Sequence, residues 1–444
     1  MTVRWLVLAT VAALAILTNA PMTAAAHAVL LRGTPSDRQT LERAPDQVQL
    51  LFSEPLDQVF SSLRVQDASG QRVDKGDGRV EPTNDHLLVV SLQPSLPNGV
   101  YTVFWRSLSA IDVHPDEGQY QLFVGVPVVS NQTTAVITAT PETTFGRWWF
   151  YLAASFFGGV LTTWKLVLSQ VLTGPHAEAR AAVRATACRL IVVGGVLLIV
   201  GTLYTAVAQA AAAANVTLFE AIGKPITDLL LRGRFAAIWW PRIGLEVASL
   251  LLIVGGGIEG LAAECALATL PAVLLTSAIT SHGAALPVGA VAGIAVDWLH
   301  IVGATAWVGG LIGVLICLPA MRRAGQSSAG DALRCLVARF GRYALIASAV
   351  VALSGALQGV LEVGSWPALL STTYGELVLA KIGLLLAMLL VATFNEWRAR
   401  TADAVALGDV RGLRRGVRVE LAVGVVVLGV AAMLSGTPPS VVGG

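Results

Sequence analysis

The sequence predicts two unlike parts: an exported all-β sandwich or Greek-key barrel, followed by an all-α polytopic membrane domain of about eight transmembrane helices. Three observations carry this. Of the 444 residues, 55% are hydrophobic and only 13% charged, whereas soluble domains carry charge on about 25% of theirs. Apolar runs of spanning length recur from residue 147 onward. Ahead of them, residues 27–126 alternate short β-branched and aromatic runs with turn residues. The charge splits the same way. Residues 27–145 carry a net charge of −6 and residues 146–444 a net charge of +7. The basic residues sit between apolar runs and not on one module, which excludes a nucleic-acid-binding surface.

Residues 1–26 read as an export signal. Arg4 precedes the apolar run from Trp5 to Leu17, and small residues ending Ala24-Ala25-Ala26 follow as a cleavage site. An uncleaved anchor and a cut at Ala20 are the alternatives. Cleavage after Ala26 makes His27 the first mature residue and turns its backbone nitrogen into an amine, a metal donor once deprotonated.

Within residues 27–126, strands are expected at Val48–Phe52, Leu63–Gln66, Leu87–Leu92, Val100–Trp105 and Tyr120–Val124. Ser69-Gly70, Asp77-Gly78 and Pro97-Asn98-Gly99 supply turns. All four cysteines lie beyond this module, so it is built without disulfides or thiolate ligands. Residues 127–145, rich in Thr, Val and Pro, read as a linker to a membrane domain over residues 146–439.

Two stretches of the β module carry metal chemistry: HAVLLRGTPSD from His27, and SAIDVHPDEG at residues 109–118. Asp112 and His114 alternate along an extended chain and so share one face. The amine and imidazole of His27, the imidazole of His114 and the carboxylate of Asp112 make a set of three nitrogens and one oxygen. Such a tetragonal set suits Cu(II). An Asp-x-His alone also fits the tip of a surface hairpin.

HAVLLRGTPSD, VQLLFSEPLD at residues 48–57, SAIDVHPDEG and the closing YQLFV together resemble the copper-binding family CopC. The resemblance implies a Cu(II) site of the histidine-brace kind, with His27, Asp112 and His114 as ligands. Val113 stands where the family usually has glycine. Some members add a methionine-rich Cu(I) site; here no Met occurs between His27 and Gly146, so the module is expected to hold only the oxidised ion. His86 reads as a surface residue at a strand start.

Eight spans are expected near residues 147–172, 188–213, 236–257, 262–281, 288–319, 340–363, 375–397 and 417–436, the fifth overhanging the bilayer. With the β module outside, the inner loops carry clusters such as Arg180/Arg184/Arg189 and Arg398/Arg400, as the positive-inside rule requires. The connection 214–235 breaks that rule with Lys224, Arg232 and Arg234, and reads as a partial helix on the membrane surface.

Ionisable residues inside spans cost about 2.5–3.5 kcal/mol each at mid-membrane and mark function. His282 closes span four; Asp297 and His300 lie one turn apart on span five; Lys381 lies in span seven. Asp297 is placed to orient the His300 imidazole or to share an ion with it. Gly303 and Gly310 allow close helix approach. The alternative for Asp297, His300 and Lys381 is a polar clamp between helices. Arg242 and Glu246, spaced i, i+4, are expected to neutralise each other, and Glu420 to pair with nearby arginines.

SHGAA at residues 281–285, DWLHIVGATAWVGGL at 297–311, RFGRYA at 339–344, TTYGELVLAKIGLLLAMLLVATFNEWR at 372–398 and LSGTPP at 434–439 are similar to the membrane family CopD. The whole chain thus resembles CopC–CopD fusions, which implies copper uptake. The expected function is Cu(II) capture outside the plasma membrane by a multi-pass protein. Its N-terminal domain is extracytoplasmic and delivers the ion to a helical domain through a path near His282, Asp297, His300 and Lys381. The partners are the copper ion and the lipid bilayer, with no nucleic acid; copper carriers on either side are left open. There is no nucleotide-binding motif, and no enzyme activity is expected. The rivals are copper sequestration without transport and a membrane redox enzyme.

Overall fold

The computed structural model describes residues 28–111, 115–127, 140–173, 177–231, 233–285, 289–323, 326–363, 366–400 and 410–437. The expected signal segment 1–26 and the three expected ligands His27, Asp112 and His114 lie outside the described residues.

The N-terminal part is a sandwich of two four-stranded sheets. One sheet has the order β1 (Leu30–Thr34), β3 (Gln47–Phe52), β6 (Asn84–Ser91), β5 (Arg79–Glu81); the other has β2 (Thr40–Leu41), β8 (Pro115–Val124), β7 (Gly99–Leu108), β4 (Ser62–Asp67). All pairs are antiparallel except β2 with β8. Alternation dictates the core, because successive side chains point to opposite faces. Val48, Leu50 and Phe52 of one sheet meet Tyr101, Val103 and Trp105 of the other in a single buried cluster. The strand segments expected from sequence lie in β3, β4, β6, β7 and β8, except that β6 ends at Ser91, one residue before the expected Leu92. Strands β1, β2 and β5 add edges whose short, polar stretches carry little pattern. The polar start of β8 is strand because it pairs with β7: Glu117 lies opposite Arg106, and Gly118 lies opposite Trp105. A side chain at Gly118 would run into the Trp105 ring.

Turns in the sandwich are stitched by carboxylates. Asp67 accepts from the amides of Ser69 and Gln71 and from the Ser69 hydroxyl, which holds its carboxyl below its ordinary value, the Ser69 hydroxyl contributing most. Asp77 accepts from the Ser91 hydroxyl at 2.7 Å and the Ser91 amide at 2.9 Å.

Among the described residues, eight helices are long and apolar enough to cross a membrane. They are α1 (Pro141–Val171), α2 (Ala177–Ala214), α5 (Gly233–Gly256), α6 (Gly260–Ala278), α7 (Ala290–Arg323), α8 (Gln326–Val363), α10 (Thr373–Arg400) and α11 (Val410–Leu434); the short helices α3 (Leu218–Ala221), α4 (Lys224–Leu231) and α9 (Trp366–Ser371) lie between them. α1 begins five residues ahead of Gly146 because Thr140-Pro141-Glu142 is a helix start: the Thr140 hydroxyl caps the Thr143 amide, and Pro141 needs no donor there. Two π-turn segments, Ser155–Gly159 and Trp164–Leu168, interrupt α1. The first of them packs on the central helix α7, where Gly159 lies against Gly309 with no room for a side chain between them.

Alternate crossings bring the N-termini of α1, α5, α7 and α10 and the C-termini of α2, α6, α8 and α11 to one end. That is the end where the β sandwich contacts α2, through Arg106 and the carbonyl of Ala212. The opposite end carries ion pairs of Arg180 and Arg184 with Glu259, at 2.8 and 3.1 Å, and of Lys165 with Glu264.

Candidate metal site and membrane polar cluster

The hairpin β7–β8 stays in register from Gly99 opposite Val124 to Leu108 opposite Pro115. Ser109, Ala110 and Ile111 follow, the last described residues before Asp112 in the sequence. The described neighbours of all three expected ligands are tied together. The Ser107 hydroxyl lies 3.4 Å from the carbonyl oxygens of Ala28 and Asp116. Ala28, 1% exposed, directly follows His27, and Asp116 stands two residues after His114.

The segment Ser53-Glu54-Pro55 brackets both stretches. Ser53 and Val29 exchange hydrogen bonds, 3.0 Å from the Val29 amide to the Ser53 hydroxyl and 2.9 Å from the Ser53 amide to the Val29 carbonyl. The Ala110 amide donates to the Pro55 carbonyl at 2.8 Å. The Ser109 hydroxyl donates to the carboxylate of the fully buried Glu54 and accepts from the Ile111 amide at 3.0 Å. This holds the flanks of residue 27 and of residues 112–114 at one edge of the sandwich, the juxtaposition that a donor set of three nitrogens and one oxygen needs.

At the same end of the helical part, polar side chains converge inside the spans. Asp297 accepts from the Gln358 amide of α8, and Lys381 lies within electrostatic reach of Asp297, His300 and Glu362. The Tyr374 hydroxyl donates to the Glu362 carboxylate, and the Tyr374 ring meets the buried His282 ring edge-on at 6.3 Å. His300 turns its Nδ1 to the Val351 carbonyl and the Ser354 hydroxyl of α8, both at 3.1 Å. Asp297 and His300 therefore have different partners, because α8 offers Gln358 to one and Ser354 to the other, one turn apart. Among the described residues, no three His, Cys, Asp or Glu side chains converge to hold a metal ion.

Residues 30–125 match the family described as CopC domain, and residues 334–434 match Copper resistance protein D, the CopD family. The chain is a CopC–CopD fusion. It is 28% identical over 431 residues to "Copper transport protein CutJ" of Bacillus subtilis, which covers 94% of this chain and 75% of that protein. The CopC domain is also similar to "Protein YobA" of Escherichia coli, 32% identical over 114 residues, 25% of this chain and 91% of that one. Two solved structures align with it. CopC from Methylosinus trichosporium OB3b is 28% identical, covering 24% of this chain and all of that one, with a TM-score of 0.20. PcoC from Escherichia coli is 30% identical, covering 22% and 99%, with a TM-score of 0.20.

The match to CopD covers the last three spans, with Glu362, Tyr374, Lys381 and Glu420; His282, Asp297 and His300 lie ahead of it. Several contributors carry no mark in the sequence. Gln358, Glu362 and Tyr374 join the cluster from α8 and α10, and no spacing links them to Asp297. Glu54 of the CopC domain lies within VQLLFSEPLD, in a Ser-Glu-Pro that follows an apolar strand.

One expected pairing differs in the structure, that of Glu420; Arg242 and Glu246 lie within electrostatic reach of each other as expected, but take their hydrogen bonds from other helices. Arg242 reaches across to Thr276 at 2.6 Å and Ser277 at 3.1 Å on α6 and covers the Phe150 ring, while Glu246 accepts from Thr202 on α2 at 2.8 Å. Helix packing offers each a hydroxyl partner from another span. Glu420 accepts from Trp307 Nε1 at 3.1 Å and Asn395 Nδ2 at 3.3 Å, because its side chain points into the bundle and away from the arginines at the helix end.

Proposed function

We propose that this CopC–CopD fusion acquires copper at the plasma membrane as a multi-pass protein whose CopC domain is extracytoplasmic. Residues 27–126 capture Cu(II) through His27, Asp112 and His114; residues 127–145 link them to a membrane domain over residues 146–439. The observation that carries the reading is the juxtaposition at Ser107 and Glu54, which ties the flanks of all three ligands together. The donor chemistry, imidazoles, a terminal amine and a carboxylate, favours the oxidised ion. The captured ion passes to the cluster of His282, Asp297, His300 and Lys381 at the facing end of the membrane domain. There Asp297 and Glu362 supply negative charge, Lys381 balances it when no ion is present, and the histidines offer nitrogen donors. The membrane potential favours inward movement of a cation by about 2.3 kcal/mol per charge per 100 mV. The role is transport without catalysis.

Isotopic copper uptake in deletion cells and in proteoliposomes tests this, using wild type, His114→Ala and His300→Ala. Uptake that depends on both histidines is expected; unchanged uptake on deletion refutes transport. A second reading, external sequestration, draws on one observation: the described membrane residues form no three-ligand group. It predicts copper sensitivity on deletion with unaltered accumulation.

A further inference from the structure

The CopC domain meets the membrane domain through one edge. Arg106 of β7 donates from Nη2 to the carbonyl of Ala212, two residues before the C-terminus of α2. Carbonyls in the last turn of a helix lack intrahelical donors and carry the negative end of the helix dipole, so a cation is favoured there. The Asn215 amide reaches that oxygen at 3.4 Å. The other arm of Arg106 forms a 3.0 Å ion pair with Glu117, three residues beyond His114.

Around this contact Phe60 and Leu108 join Ala210, Ala211 and Ala213 of α2, Ala221 of α3 and Leu229 of α4 in one buried apolar cluster. The end of α2, from Ala208 to Ala214, is alanine except for Gln209, and such small side chains let a strand face approach the helix closely.

We infer that Phe60, Arg106 and Leu108 form a docking surface that seats the CopC domain on the C-terminus of α2 and the α3–α4 segment. Arg106 acts as a positioning residue that ties the metal-bearing hairpin to the membrane domain. The docking stands on these contacts alone; its role in delivery rests on the proposed hand-off.

The test is hydrogen exchange on the full-length protein in nanodiscs, with Cu(II) titration and copper uptake measured on the same variants. Arg106→Glu is expected to speed exchange at residues 208–216 about tenfold, the loss expected for one charge-assisted hydrogen bond, with an unaltered Cu(II) titration. Arg106→Lys, which keeps the charge at the helix end, gives a smaller rise. Phe60→Ser, which leaves every charge in place, gives a similar rise by opening the apolar cluster, and serves if the reversal disturbs folding. Unchanged exchange at residues 208–216 in both Arg106→Glu and Phe60→Ser overturns the docking surface, whatever uptake does. Faster exchange with normal uptake keeps the surface and overturns its part in delivery.

Discussion

The Nδ1 of His300 lies 3.1 Å from the Val351 carbonyl oxygen, one helix away. A carbonyl only accepts, so Nδ1 carries the hydrogen and Nε2 keeps the lone pair that a metal ion or a proton donor would use. The ring is also confined by Gly355, where a Cβ would stand 3.1 Å from His300 Cε1.

His300→Ala is therefore expected to leave Cu(II) capture intact while lowering uptake at least about tenfold, the usual scale for a lost ligand or its support. Gly355→Ala should lower uptake by a smaller factor, by tilting the ring. Isotopic uptake beside a Cu(II) titration reads both. Normal accumulation in His300→Ala would assign the histidine to helix packing.

His114→Ala should weaken Cu(II) binding at least about tenfold. A competitive titration with a chelator of known affinity measures it, and an unaltered curve refutes the ligand assignment.

Glu54 is fully buried and holds the Ser109 hydroxyl at the base of the hairpin tip. Glu54→Ala removes the carboxylate to which that hydroxyl donates, so Cu(II) affinity should fall about tenfold. Glu54→Gln keeps an acceptor and should lose less. Equal affinity in all three proteins would show that the bracket does not act on the metal site.

Acid should weaken the CopC domain through Asp77. The Ser91 hydroxyl, and after it the Ser91 amide, hold the Asp77 carboxyl below its ordinary value. The folded state therefore binds this proton less readily than the unfolded chain. The stabilisation is present above about pH 4 and disappears as pH falls through the lower folded value. Thermal unfolding followed by tryptophan fluorescence should show a falling midpoint between about pH 5 and pH 3. Ser91→Ala should flatten that dependence, and an identical slope in the variant would remove Asp77 as its source.

Glu420 satisfies Trp307 and Asn395 at once, and it is 3% exposed. Glu420→Leu strands two buried donors and should cost about 2 kcal/mol or more. Glu420→Gln retains one acceptor and should cost less. Thermal unfolding in detergent compares them; a Leu variant as stable as wild type would show that water replaces the carboxylate.

The elements were legible wherever one local property dominated. Alternation over Val48–Phe52 and Val100–Trp105 marks strands, and runs such as those around Leu198 and Leu311 mark spans. Asp297, His300 and Lys381 stand out because charge inside an apolar run is itself a signal. Gln358, Tyr374 and Ser107 send no such signal, since each is an ordinary polar residue until another element arrives beside it. Arg242 and Glu246 keep the charge compensation that i, i+4 spacing gives within one helix, whereas their hydrogen-bond partners, Thr276 and Thr202, come from two others.

Hydropathy and periodicity are properties of contiguous stretches. They determined that this chain is a β module ahead of about eight apolar segments of spanning length, and which charged residues those segments hold. Which side chains meet, and where the module sits, depended on how whole helices rotate and slide against one another. Contacts between small residues such as Gly159 and Gly309 set that geometry across distances no local pattern encodes. Only the assembled molecule could therefore bring Arg106 to the end of α2, or Gln358 to Asp297.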